Sequence, residues 1–180
     1  MQYDGIPMKL TVKSMLKIEK ENRGLGGFRF VETAVEPYVR DFSEGESDNA
    51  SRWARDFDVS NWAFFMAFDE EKPVGAAAIA SRTKEVNMLD GRDDLAVLWD
   101  IRVEEEYKGQ GVGQKLFSMA ADWARGQGLR EMKIECQNDN VPAVRFYHRQ
   151  GAQLCMINEY AYHGDSDFGH TAQLIWYLDL

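Results

Sequence analysis

Cysteine is almost absent from this chain. Cys136 and Cys155, two residues in 180, cannot build a disulfide framework, and neither stands in a CxxC or CxxxxC pair that would suggest zinc or redox chemistry. A reducing compartment is expected. Histidine is nearly as scarce: His148, His163 and His170 lack ligand spacing, so no metal is expected. Long apolar runs are missing too. Nothing approaches the ~18 uncharged residues of a membrane span, and "MQYDGIPMKL" has no basic region followed by an apolar stretch and a small-residue cleavage site. A cytoplasmic protein without a membrane partner is expected. Positive charge is in deficit: Lys plus Arg number 21 against 30 Asp plus Glu, a net charge of −9. Nucleic acid would therefore meet an unfavourable mean field, whereas a cationic small molecule would be attracted.

What is present suits one compact α/β or α+β domain over residues 1–180, with 44% hydrophobic content and no repeats. "KLTVKSM" alternates like a strand, "LKIEKENRG" has helical composition ending at Gly24, and "FRFVETAVEPYVRDF" reads as extended chain with Pro37 inside. The charged stretch Asp41 to Asp58 reads as a loop with a short helix. In "NWAFFMAFDEEKPVGAAAIAS" two apolar strands flank the turn Asp69 to Lys72, which predicts a β-hairpin. "DLAVLWDIRV" is a further strand. A helix follows, with Val112, Leu116, Ala120 and Trp123 in one row and Phe117, Ala121 and Ala124 in another, stopping at "GQG". "REMKIEC" predicts a strand. "QNDNVPAVRFYHRQG" predicts a short helix, with Asn140 as N-cap, Pro142 in its first turn and Gly151 as its stop. "QLCMINEYAY" and "TAQLIWYLDL" predict two aromatic strands around the loop "HGDSDFG".

The chemistry is concentrated at "YKGQGVGQKLF". A strand, a glycine turn and a helix start make an anion site, because unpaired amides of the first turn point outward and the helix dipole favours negative charge. Side chains at Gly109, Gly111 and Gly113 would crowd a pyrophosphate, and Lys108 adds a cation at the rim. Three ligand-level readings compete. A P-loop needs GxxxxGK[ST], which is missing. A dinucleotide site needs GxGxxG where this chain has GxGxG, although Glu135 lies near the end of the following strand, where a ribose-binding acid would stand. A structural turn is the third reading.

"VEEEYKGQGVGQKLF" also resembles the acyl-coenzyme A pyrophosphate motif of the GNAT superfamily of N-acetyltransferases, Gln/Arg-x-x-Gly-x-Gly/Ala opening a helix. Gly111 and Gly113 match, and Lys108 replaces the usual Gln or Arg. "NVPAVRFY" matches the family's Asn-x-x-Ala-x-x-x-Tyr at Asn140, Ala143 and Tyr147. The likeness extends over roughly Ala63 to Leu180. It implies a mixed, mostly antiparallel central sheet flanked by helices, with residues 61–180 as an acetyl-CoA-binding core and 1–60 as a more divergent acceptor-side segment. It implies acetyl-CoA as co-substrate, held by Lys108, Gly109, Gln110, Gly111, Val112, Gly113 and Gln114, by Asn140, Ala143 and Tyr147, and by amides near Ile101 and Val103 freed by a bulge in "WDIRV".

"LWDIRV", "DWARGQGLREMKIECQNDNVPAVRFY", "NEYAY" and "LIWYLDL" are similar to streptothricin acetyltransferases, which acetylate an amine on the β-lysine arm of a cationic antibiotic. Cys136, Val144 and Ala152 depart from that pattern. Acetyl transfer needs a neutral amine, and alkyl ammonium groups titrate near ~10, so a carboxylate must take a proton. The resemblance favours Glu135, with Asp100 as second choice; either residue could instead bind the cationic acceptor or pair with an arginine. Tyr147, on one helical face with Ala143, would protonate the departing thiolate. Glu159, Tyr160 and Tyr162 are candidates for an acceptor pocket or plain strand packing. Neither cysteine has a partner that would make it an acyl carrier, so direct transfer in a ternary complex is expected. Another small amine or a protein lysine or N-terminus, a non-catalytic acyl-CoA-binding module and a homodimer stay open.

Overall fold

The computed structural model describes residues 2–42 and 49–180. Its elements in order are β1 (Lys9–Glu21), β2 (Gly27–Asp41), α1 (Ala50–Asp56), β3 (Ala63–Asp69), β4 (Lys72–Ser81), β5 (Leu95–Val103), α2 (Val112–Gly126), β6 (Glu131–Gln137), α3 (Val141–Arg149), β7 (Gln153–Asn158) and β8 (Gln173–Asp179). Six strands form a mixed sheet in the order β3-β4-β5-β6-β8-β7, and β1 and β2 form a second sheet of two strands. This is the α/β class read from the sequence. The central part of the expected loop over Asp41 to Asp58 lies outside the described residues, and the short helix expected there is α1. Two compact units divide the chain: Met1–Lys9 with Asp41–Ile134 and Tyr177–Leu180, and Leu10–Arg40 with Glu135–Trp176. Neither is one contiguous stretch of sequence.

In the first unit β3 and β4 pair antiparallel from Ala63↔Ile79 to Asp69↔Lys72. This is the expected hairpin. Its turn places Glu70 at φ 52°. β4 is built from small residues because both its faces are covered. On one face Ala76, Ala78 and Ala80 join a core cluster with Tyr3, Ile6, Trp53 and Trp62, and alanine leaves room for the rings. On the other, a Cβ on Gly75 would stand 3.0 Å from the side chains of both Val112 and Leu116, so glycine lets α2 approach the sheet closely. Helix α2 buries Leu116, Phe117, Ala120, Ala121 and Ala124, one apolar stripe at 3.6-residue spacing. Full burial of Leu116 alone contributes about 2 kcal/mol.

In the second unit the sequence reading fails at two places. "LKIEK" is strand, the second half of β1. Its helical composition is overridden because Asn138 clasps Leu16 from both sides: the Leu16 amide donates to the Asn138 carbonyl at 2.8 Å, and Asn138 Nδ2 donates to the Leu16 carbonyl at 2.9 Å. Those bonds need extended backbone. Cross-strand pairs Ser14–Glu32 and Arg29–Glu19 fasten β1 to β2. The second failure is "EYAY". β7 ends at Asn158, where the Asn158 carboxamide accepts the Tyr160 amide at 3.0 Å and turns the chain.

Candidate functional site

The glycine turn joins β5 to α2 in the first unit. Gly109 and Gly111 take φ values of 76° and 90°, where a side chain is strained. Among the described residues nothing beyond the chain neighbours lies within 4 Å of a Cβ built at either, so the space above them is open to these residues. Gly111 is the N-cap residue of α2 and supplies no side-chain cap. The first amide of this helix start to find a protein acceptor is that of Lys115, which donates to the Gly111 carbonyl at 2.9 Å. Among the described residues no acceptor meets the amides of Gly109, Gln110, Gly111, Val112, Gly113 and Gln114. Six successive donors beside open space, at the positive end of a 15-residue helix, fit a diphosphate. The Lys108 ammonium meets Glu105 Oε2 at 2.5 Å. The Gln110 side chain donates to the Glu106 carbonyl at 2.6 Å, which leaves recognition to the backbone.

Upstream, β5 carries a bulge. Ala78 pairs with Asp100 and Ile79 with Leu98, so Trp99 is the extra residue. The Trp99 ring is held by Trp62 and Phe57, each at 5.3 Å between centroids. The parallel ladder of β5 with β6 covers only Leu95↔Glu131 to Leu98↔Ile134, although β5 continues through Ile101 to Val103. The sequence-based bulge thus lies at Trp99, just before the residues expected to donate.

Asp100 pairs with an arginine, the alternative to a catalytic role that the sequence left open. Its side chain is 3% exposed; Oδ2 accepts Tyr3 Oη at 2.6 Å and Arg102 Nε at 2.8 Å. Arg102 also donates to the Ile6 carbonyl at 3.3 Å and lies 5.0 Å over the Tyr3 ring. Burial, and then the Asp100 charge, push the Tyr3 hydroxyl far above its ordinary pKa, so it stays a donor. Through these bonds Asp100 ties the N-terminal segment to β5.

The second unit holds the other candidates. Asn140 caps α3 by accepting the Ala143 amide at 3.2 Å, and Pro142 follows in the first turn. This fixes the helix on which Tyr147 stands. Tyr147 is buried, with the Phe146 ring edge-on at 5.5 Å. Glu135, on β6, is half-buried and meets no cation among the described residues. Its Oε1 accepts Tyr162 Oη at 2.6 Å, and Gln137 Nε2 donates to the same hydroxyl at 2.8 Å. Burial first, and then the bond to Glu135, raise the Tyr162 pKa.

Beside them lies a group the sequence reading missed. Asp139, fully buried, pairs with Arg40 and accepts Tyr38 Oη at 2.8 Å. That hydroxyl stands 3.2 Å from His170 Nε2. The Tyr38 pKa is pushed up to about 12 by burial and by Asp139. The Arg40 guanidinium lies 4.2 Å over the Phe168 ring. These partners stand about a hundred residues apart in the chain, so no local spacing announces them. Cys136 is buried and its thiol is pushed up to about 12 by that burial, so it forms little thiolate at neutral pH. Cys155 is exposed.

Comparison with known proteins agrees with this fold. The sequence model of the acetyltransferase (GNAT) family matches residues 28–152. A streptothricin acetyltransferase of Escherichia coli is 28% identical over 152 residues, 84% of this chain and 76% of that protein. One of Streptomyces lavendulae is 24% identical over 170 residues, 94% and 84%. The crystal structure of nourseothricin acetyltransferase superposes with a TM-score of 0.75 at 22% identity, over 99% of this chain and 91% of that one. A Bacillus anthracis structure solved with acetyl coenzyme A gives 0.75 at 20% identity, over 97% and 88%. The chain belongs to the acetyltransferase (GNAT) family, and with it to the acetyl-CoA-dependent N-acetyltransferases.

Proposed function

We propose that the protein, as one acetyltransferase domain in the cytoplasm, transfers the acetyl group of acetyl-CoA directly to a primary amine of a small cationic acceptor, the β-lysine amine of streptothricin. The run of amides from Gly109 to Gln114 without protein acceptors carries the donor half of this reading, because it matches the charge and breadth of a diphosphate. The acceptor half rests on the two streptothricin acetyltransferases that align over most of the chain and on the net charge of −9.

Acetyl-CoA supplies an activated thioester. The chain supplies proton traffic. Glu135 takes a proton from the acceptor ammonium, leaving a neutral nucleophile. The neutral amine attacks the thioester carbonyl, so that the C–N bond forms as the C–S bond breaks and Tyr147 gives its hydroxyl proton to the departing thiolate; the second nitrogen proton, lost as the amide forms, passes through solvent to restore the Tyr147 hydroxyl, and Glu135 releases its proton to solvent. Amides near Ile101 and Val103, past the Trp99 bulge, polarise the acetyl carbonyl. Asn140 acts through α3, whose start it caps.

The test is release of free coenzyme A thiol from acetyl-CoA in the presence of streptothricin, aminoglycosides, polyamines and lysine peptides. Rapid release with streptothricin is expected. Release with peptides alone would overturn the acceptor assignment, and absence of release with every one of these amines would overturn catalysis.

A further inference from the structure

We propose that Tyr162 is a positioning residue for the transfer, fixing one oxygen of Glu135 so that the other is presented to the acceptor ammonium. This rests on the reading of Glu135 as the base. The Tyr162 hydroxyl has one proton to give and gives it to Glu135 Oε1 at 2.6 Å. Its lone pair is taken by Gln137 Nε2 at 2.8 Å, which sets the direction in which the hydroxyl points. Among the described residues no other donor reaches Glu135, so Oε2 keeps its full acceptor capacity. Glu135 and Gln137 point to the same side of β6, two residues apart, and Tyr162 bridges them from the turn that follows β7.

A carboxylate tethered at one oxygen loses rotational freedom before the substrate arrives, which lowers the ordering cost of the proton transfer. The tether persists across the working range, since burial raises the Tyr162 pKa. Other ionisable groups around it include the Arg40 guanidinium of β2, Asp139 paired to it, Tyr38 on Asp139, His170 on Tyr38, Asp165, whose amide donates to the Tyr162 carbonyl at 3.0 Å and whose carboxyl is held low by backbone amides and by Arg40, and Cys136, whose thiol stays protonated up to about 12. Arg40 and Asp139 offset one another's charge.

The experiment compares Tyr162→Phe, Glu135→Gln and the double variant, with streptothricin as acceptor and acetyl-CoA as donor. For Tyr162→Phe we expect kcat to fall about 10-fold with KM for acetyl-CoA unchanged, as fits loss of a hydrogen bond to a charged group. The penalty should shrink as pH rises toward ~10, where the acceptor arrives deprotonated and needs no base. In the Glu135→Gln background the second substitution should cost nothing further. Gln137→Leu should give a smaller loss of the same pH form, and it carries the test if Tyr162→Phe fails to fold. A Tyr162→Phe loss that is equal at every pH, or that persists in the Glu135→Gln background, overturns the proposal, as does full activity of Tyr162→Phe where Glu135→Gln is inactive. Full activity of Glu135→Gln overturns the base assignment itself.

Discussion

Gly111→Ala separates backbone strain from ligand exclusion. Gly111 has φ 90°, and among the described residues nothing beyond its chain neighbours lies within 4 Å of a Cβ built there. The substitution therefore creates no clash in the protein, and its stability cost is that of a left-handed L-residue, about 1–2 kcal/mol. For a chain of this length each kcal/mol lowers Tm by about 2–4 °C, so a fall of roughly 2–8 °C is expected. The methyl group also stands beside the amide row, where a diphosphate must come within hydrogen-bond distance. Affinity for acetyl-CoA should drop at least about 10-fold, equivalent to 1.4 kcal/mol. Gly128→Ala is the matched control. Gly128 has φ 72° with equally open space around its Cβ, but it follows the C-terminal end of α2. It should lose similar stability and keep full affinity. Thermal melting without ligand and calorimetric titration with acetyl-CoA measure the two effects. Undiminished affinity in Gly111→Ala, or an equal loss in Gly128→Ala, would refute the reasoning.

Further outcomes follow from the same contacts. Tyr147→Phe should lower kcat by about 10²-fold or more and leave acetyl-CoA affinity intact, the signature of a group acting in the transition state; single-turnover kinetics with parallel titration decides it. Asp100→Asn should destabilise the fold by about 3 kcal/mol or more, because it breaks the buried Asp100–Arg102 ion pair, while the folded fraction keeps its turnover; denaturant unfolding and active-site titration separate the two. Iodoacetamide at neutral pH should label Cys155 alone, as peptide mass spectrometry would reveal. The raised Cys136 pKa has a further consequence with a definite sign: its folded-state thiol titrates near about 12, above its unfolded value, so its contribution is fully present below that unfolded value and is lost as pH rises toward 12. Cys136→Ala should therefore flatten the alkaline limb of a stability profile.

Much of the fold was legible because its elements state their own period. The Asp69–Lys72 turn, the two apolar rows of α2 and the Asn140–Pro142 helix start are all local signals, and the structure places each as read. "LKIEK" shows the limit of such signals. Its composition suits a helix, yet Asn138, more than a hundred residues away, holds Leu16 extended through one backbone and one side-chain bond to the Leu16 amide and carbonyl. Site residues divide in the same way. The glycine turn and the Asn140-to-Tyr147 spacing are local patterns that the sequence spells out, whereas the partners that surround a carboxylate are distant. Asp100 and Glu135 look alike as acids on neighbouring strands. Tyr3 and Arg102 immobilise the first, and Tyr162 holds only one side of the second.

The central claim is that the amides of Gly109 to Gln114 grip the diphosphate of the acyl donor, and a crystal structure of the protein with coenzyme A tests it most directly. The account predicts diphosphate oxygens about 3 Å from several of these nitrogens. A bound coenzyme A whose diphosphate lies elsewhere, with those amides facing solvent, would contradict it.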